Sequence, residues 1–213
     1  MSLHHLSRPL LVLLPGLLSV WGMTSCSRTG NTGEEAQVKL AFDSCKSALI
    51  NHQTDQVMAC IPRDVDDYLK WLNSSAENSG PVAAQPAQDT SPGVDLLLRT
   101  ALDKKVPPDL RATLTLESLM QRVADKRLLN PREVAQISLG PVSINGNRAR
   151  AELYYQGSLT ALRLPFVKED NTWKIDVMAI LPSAELLMRL DRAIKGETEA
   201  QQVEQLVSKL PSL

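Results

Sequence analysis

The chain is poor in the side chains on which most enzymes rely. Of its 213 residues only three are cysteine and three histidine, and aromatic residues make up 4%. Two histidines, His4 and His5, sit in the first eight residues, and the third, His52, lies in the turn-like Asn51-His52-Gln53-Thr54-Asp55. One histidine with a few cysteines cannot assemble a His-rich or four-cysteine metal site. A Ser-His-Asp triad would have to recruit that same loop histidine, which reads instead as a surface residue. GxSxG, HExxH, GxxxxGK(S/T) and GxGxxG patterns are all absent. We therefore expect no enzymatic activity, no cofactor and no metal. Charge of one sign is missing too. Lys plus Arg number 23 against 24 for Asp plus Glu, a formal net charge of −1. Nothing there would hold a phosphate backbone, so nucleic acid is not an expected partner. A mean hydropathy of −0.13 excludes a multi-span membrane protein.

What is present begins with an address. Arg8 is the only permanent charge before an apolar run from Pro9 to Met23, which Pro15 and Gly16 interrupt. A membrane span needs about 20 apolar residues, so this shorter run reads as a secretory signal over residues 1–25. Met23-Thr24-Ser25-Cys26 then resembles a bacterial lipoprotein signal. That resemblance implies lipidation of Cys26 with diacylglycerol and palmitate-type acyl chains, making it the first residue of the mature protein. Ordinary secretion with cleavage after Gly22, and an uncleaved anchor, are the alternatives. Ser27 stands where many enteric inner-membrane lipoproteins carry Asp, so the resemblance implies an outer-membrane protein facing the periplasm. Two or more acyl chains hold a protein stably at a membrane where one does not. Residues 26–36 are polar and small, and read as a flexible tether.

Residues 37–213 read as a single α+β domain. Val38, Ala41, Phe42, Cys45 and Leu49 fall on one helical face, and further helices are expected near 54–61, 64–72, 96–106 and 116–129. Between them, residues 73–93 hold three prolines, one valine and no aromatic residue, which predicts a disordered insertion. After Pro131 the apolar period changes to two, predicting strands near 134–144, 148–156, 159–168 and 172–178. Gly140-Pro141 predicts a kink and Asn145-Gly146 a hairpin. A slip in apolar phase between Leu159/Ala161 and Leu162/Leu164/Phe166 predicts a bulge. Helices near 183–195, stopped by Gly196, and 197–209 finish the chain.

The leading helices, the segment AQISLGPVSINGNRARAELYYQ and the hairpin containing Lys168-Glu169-Asp170 and Trp173-Lys174-Ile175-Asp176 together resemble the nuclear transport factor two-like (cystatin-like) superfamily. The likeness spans roughly residues 36–72 and 133–180. It implies N-terminal helices packed on a curved antiparallel sheet, cone-like, with the C-terminal helices as additions. Some enzymes of that superfamily use a pocket carboxylate as base with a tyrosine hydroxyl, which here singles out Asp176 and Tyr155. Alternation along the last strand, however, turns Asp176 away from Trp173 and Ile175 to the outer face, as one half of a surface ion pair. A possible pocket inside the cone would be lined by Leu153, Tyr155, Trp173 and Ile175, with Ala149 and Ala151.

Three features remain. Cys45 and Cys60, both at apolar helical positions, are expected to form a disulfide in an oxidising compartment, the alternative being two packed free thiols. Arg148, Arg150 and Arg163 with Glu152 read as a mixed-charge solvated sheet face. Leu186, Leu187, Leu190 and Ile194, then Val203, Leu206, Val207 and Leu210, form narrow stripes that either pack on the domain or meet a partner. Such a partner would be an envelope protein or a second copy in a homo-oligomer. The function these readings favour is a membrane-tethered envelope lipoprotein with a non-catalytic binding or assembly role. The alternative is a carrier or enzyme for a small apolar ligand held in the cone.

Overall fold

The computed structural model describes residues 29–77 and 91–212. The expected leader, Cys26 and most of the expected insertion lie outside the described residues. The first helix, α1 (Thr29–Ile50), carries its apolar face inward, with Val38, Phe42, Cys45 and Ala48 buried. It begins inside the segment expected to be a tether, and that expectation is corrected for residues 29–36. Glu34, Glu35 and Ala36 are sound helix formers, and ion pairs of 2.8 Å from Glu35 to Lys39 and from Glu34 to Lys168 hold this turn to the helix and to the sheet.

After α2 (Thr54–Ala59), Pro62 breaks the helix and α3 (Asp64–Glu77) follows. The expected insertion is corrected at both of its ends. Residues 73–77 complete α3, where Asn73 donates to the Arg111 carbonyl at 2.7 Å. At the other end, α4 (Pro92–Lys105) starts with proline in its first turn, and both Ser91 and Gly93 are buried. Two short helices and one longer one lead to the sheet: α5 (Pro108–Arg111), α6 (Leu116–Asp125) and α7 (Pro131–Ala135). Thr115 and Ser118 form a reciprocal capping box at the start of α6. The extended segment expected from Val134 starts later, because the Asn130 side chain caps the α7 turn by accepting from the Arg132 N–H at 3.0 Å.

Four antiparallel strands follow in sequence order: β1 (Ile137–Asn145), β2 (Arg148–Tyr155), β3 (Ser158–Glu169) and β4 (Thr172–Ile175). The turns take left-handed backbone where the sequence permits it, at Gly146 (φ 59°) and at Asp170 and Asn171 (φ 48° and 60°). Pairing shifts between Leu139 and Val142, at the expected Gly140-Pro141 kink, and again between Glu152 and Tyr154, where the phase slip predicts a bulge. These breaks let the sheet curve around α1.

The last strand is shorter than expected. It ends at Ile175, and Asp176 turns inward instead of standing on the outer face. Asp176 is 8% exposed and accepts from the Ala179 N–H at 3.0 Å, capping a 3-10 turn (Met178–Ile180). That turn feeds α8 (Leu181–Lys195), which Gly196 ends in left-handed conformation (φ 67°), and α9 (Glu199–Lys209). The two C-terminal stripes part company. In α9, Val203 and Val207 are buried on α4. In α8, Leu186, Leu187 and Leu190 face solvent, as does Ile194, 84% exposed, while Met188 and Glu185 turn inward.

Glu185 ties α8 to the start of α4. It is 5% exposed, accepts from the Val94 N–H at 3.0 Å and from Arg189 Nε at 2.7 Å. Burial opposes its ionisation, but Arg189 and the backbone N–H groups of Val94 and Gly93 hold its carboxyl below the usual glutamate range. The stability this contributes is present above the unfolded pKa and is lost as acidification passes down through the folded one. A Cβ at Gly93 would stand 2.9 Å from Glu185 Oε2 and 2.9 Å from Glu199 Oε1. Gly→Ala within a helix ordinarily stabilises. Gly93→Ala should do the reverse, lowering the urea midpoint at unchanged slope by an amount equivalent to about 1–3 kcal/mol.

Candidate functional site

The concave side of the sheet is solid. Ala149, Ala151, Phe166 and Trp173 meet Val38 and Phe42 of α1 in one packed cluster, with Ile175 against it. Trp173 is 3% exposed, whereas Tyr155 ends β2 at 40% exposed. Leu153 is half-buried opposite Leu139. The four residues expected to line a cone-shaped pocket therefore do not enclose one, because α1 lies in the curve of the sheet and its side chains fill it. Tyr155 and Asp176 do not form a catalytic pair either. Asp176 follows the β4 end that pairs, through Phe166, with Ala149, and Ala149 is about 20 Å along β2 from Tyr155 at the usual strand rise.

The space for a ligand is elsewhere, among the helices. An apolar cavity of about 430 Å³ lies between α3, α4 and α6, floored by Met178 and Leu181 and flanked by Leu210 and Pro211. The stripes that build its walls are at helical spacing: Val65, Tyr68, Leu69 and Leu72 on α3, and Leu98, Ala101, Leu102 and Lys105 on α4. Leu116 and Leu119 come from α6. The surrounding cluster holds buried Trp71, whose ring stacks on Tyr68 with centroids 5.7 Å apart and carries the Arg99 guanidinium at 4.2 Å.

Polar groups near this wall are turned away from the cavity's needs. The Tyr68 hydroxyl donates to Asp95, itself buried. Burial and that carboxylate push the tyrosine pKa well above its usual value, so the hydroxyl stays protonated. Asp66 accepts from the Leu116 N–H at 3.0 Å and pairs with Lys70 at 2.6 Å, fastening α6 to α3. The helices are thus held at their ends by acceptors while their facing stripes stand apart. Such a cavity can retain an apolar molecule, with Lys105 the charged residue on its lining.

A second arrangement concerns the thiols. Cys45 and Cys60 are both free in the structure, so no disulfide joins them, yet each thiol perturbs the other's ionisation. Cys60 donates to the Gln56 carbonyl at 3.2 Å. The neighbouring Cys60 thiol, with burial, pushes the Cys45 thiol up. The Cys45 thiol lowers Cys60 against the opposing effect of burial, with Lys174 nearby assisting. Cys60, half-buried, is therefore the more acidic and more accessible sulfur.

The remaining candidates are surface features. His52 is exposed in a turn at φ 56°. Arg148, Arg150 and Arg163 are exposed, and Glu152 faces Arg163 across β2 and β3, as a mixed-charge face requires. Among the described residues no group of His, Cys, Asp and Glu could hold a metal ion, and no helix is long and apolar enough to cross a membrane. No protein-family model matches the chain, and no curated protein or solved structure matches it significantly.

The thiol geometry makes a chemical prediction. With glutathione disulfide, the Cys60 thiolate attacks one sulfur and releases a glutathione thiolate. Cys45, on losing its proton, then displaces the second glutathione and closes the intramolecular bond. Two protein thiols are oxidised and one disulfide is reduced. The product should be lighter by two hydrogens and should show one Cys45–Cys60 crosslinked peptide. In the chain-entropy model, closing this loop contributes about 3 kcal/mol. A mixed glutathione adduct that persists on Cys60 would show that the two sulfurs cannot meet.

Proposed function

We propose that this protein is a membrane-tethered lipoprotein of the bacterial cell envelope, anchored through acylated Cys26, with a non-catalytic binding role. Its ligand is an apolar molecule that occupies the helical cavity. The observation that carries this reading is the cavity itself. Its lining is almost wholly hydrocarbon, and apolar surface left to water forgoes about 25 cal/mol per Å² of burial. A space of this kind persists when it is open to exchange with an apolar occupant, and its volume lies within the range of ligand pockets, about 300–1,000 Å³. The lipoprotein-like Met23-Thr24-Ser25-Cys26 supports the location, and a tether would concentrate the site beside a source of hydrocarbon.

The test uses the full chain in lipid nanodiscs with a diazirine-bearing fatty alcohol as photoprobe. Adducts should concentrate in the peptides spanning 65–72, 98–106 and 116–119. Leu119→Trp, which fills the space from its own wall, should lower them severalfold, whereas Leu162→Trp on the exposed sheet should not. Labelling spread evenly over the chain would defeat the cavity reading. An intact mass showing an unmodified Cys26 thiol would defeat the tether.

A partner reading rests on the exposed face of α8, and we assign it to a second copy of this chain. Leu187, Leu190 and Ile194 recur at spacings of three and four, the seam of a helix pair. Beside them the charges are already matched within the helix, Arg189 with Glu185 at 2.7 Å and Lys195 with Asp191 at 2.9 Å. A face without net sign suits self-pairing better than recognition of an oppositely charged partner. Light scattering should give a dimer mass that Leu187→Glu with Ile194→Lys reduces to the monomer. An unchanged monomer mass for the parent chain would dismiss the homodimer.

A further inference from the structure

We infer that the occupant of the helical cavity is a single-chain fatty acid whose carboxylate is met by Lys105. This inference rests on the apolar-ligand reading above and specifies its head group. The cavity's volume of about 430 Å³ lies toward the lower end of the range of ligand pockets, about 300–1,000 Å³, which suits one small apolar chain. Nearly all of the lining is carbon, and Lys105 is the one charged residue on it. Lys105 is half-buried at the C-terminal end of α4, so its methylenes lie on the wall while its ammonium reaches toward water.

The neighbouring charges are committed elsewhere. Lys104 pairs with Glu204 at 2.5 Å and Arg111 with Asp103 at 2.7 Å, while no ion pair engages Lys105 among the described residues. A helix C-terminus favours a cation there. Two further lysines adjoin the C-terminal residues that line the cavity. Leu210 and Pro211 line it, Lys209 precedes them, and Lys126 donates to the Ser212 carbonyl at 2.9 Å. Cations thus border an otherwise uncharged hydrocarbon slot, and the ligand that answers both is an apolar chain ending in one anion.

The experiment compares two diazirine photoprobes of equal chain length, a fatty acid and its fatty alcohol, on the full chain in zwitterionic nanodiscs at neutral pH. The acid should label the α3, α4 and α6 peptides severalfold more than the alcohol. Lys105→Met should lower acid labelling to the alcohol's level and leave alcohol labelling unchanged. Lys105→Arg should retain the preference, and Lys104→Met should not affect it. Equal labelling by acid and alcohol in the parent chain would overturn the head-group assignment while leaving the cavity reading standing. Equal loss of both probes in Lys105→Met would overturn it as well, showing a structural role for that residue. Absence of cavity labelling by either probe would remove both readings.

Discussion

α1 rests in the curve of the sheet, and the arrangement of the other elements depends on that contact. Val38 and Phe42 bring hydrocarbon to Phe166 and Trp173, while Ala149 and Ala151 supply the small surfaces that let the helix approach closely. Burial of this kind is worth about 25 cal/mol per Å² of apolar surface. It also uses up the one concave surface that the sheet offers. Any ligand space must then come from the remaining helices, where α3, α4 and α6 form a second apolar cluster beyond the reach of α1.

That second cluster is organised by polar ties at helix ends. Asp66 holds the first turn of α6, Glu185 the first turn of α4, and Asp176 the 3-10 turn before α8. Each carboxylate satisfies a backbone N–H that would otherwise lack a partner. Because these acceptors fix where helices begin, the helices cannot slide freely to close the gap between their stripes. The same few residues therefore set both how the helices are held and how far apart their stripes stand. The tie at Glu185 further joins the C-terminal pair to α4, leaving the leucine face of α8 on the outside.

Much of the architecture was legible in the chain. The change of period after Pro131 announced the sheet, Gly140-Pro141 and the phase slip near Leu162 located its two irregularities, and the Asp170-Asn171 turn was plain. Element ends were less so. The segment 29–36 looked like a tether until Glu34 found Lys168, and residues 73–77 looked like an insertion until Asn73 found the Arg111 carbonyl. Asp176 was misplaced because alternation was carried past Ile175, where the strand in fact stops. The candidate site fared worst. Leu153, Tyr155, Trp173 and Ile175 share features of a strand face, yet one helix decides that this face is core.

What the linear order of residues determined is the set of apolar stripes, the turn chemistry, the poverty in catalytic side chains and the closeness of Cys45 and Cys60 on adjoining helices. These follow from local dihedral preference and spacing, which act over a few residues. Tertiary structure alone decided which stripes touch. A stripe on α3 has the same pattern whether it meets a neighbour tightly or faces a gap of about 430 Å³. A leucine row on α8 likewise has the same pattern whether buried or bare. Periodicity records the side of a helix that avoids water, while the distance to the next surface depends on the packing of every other element.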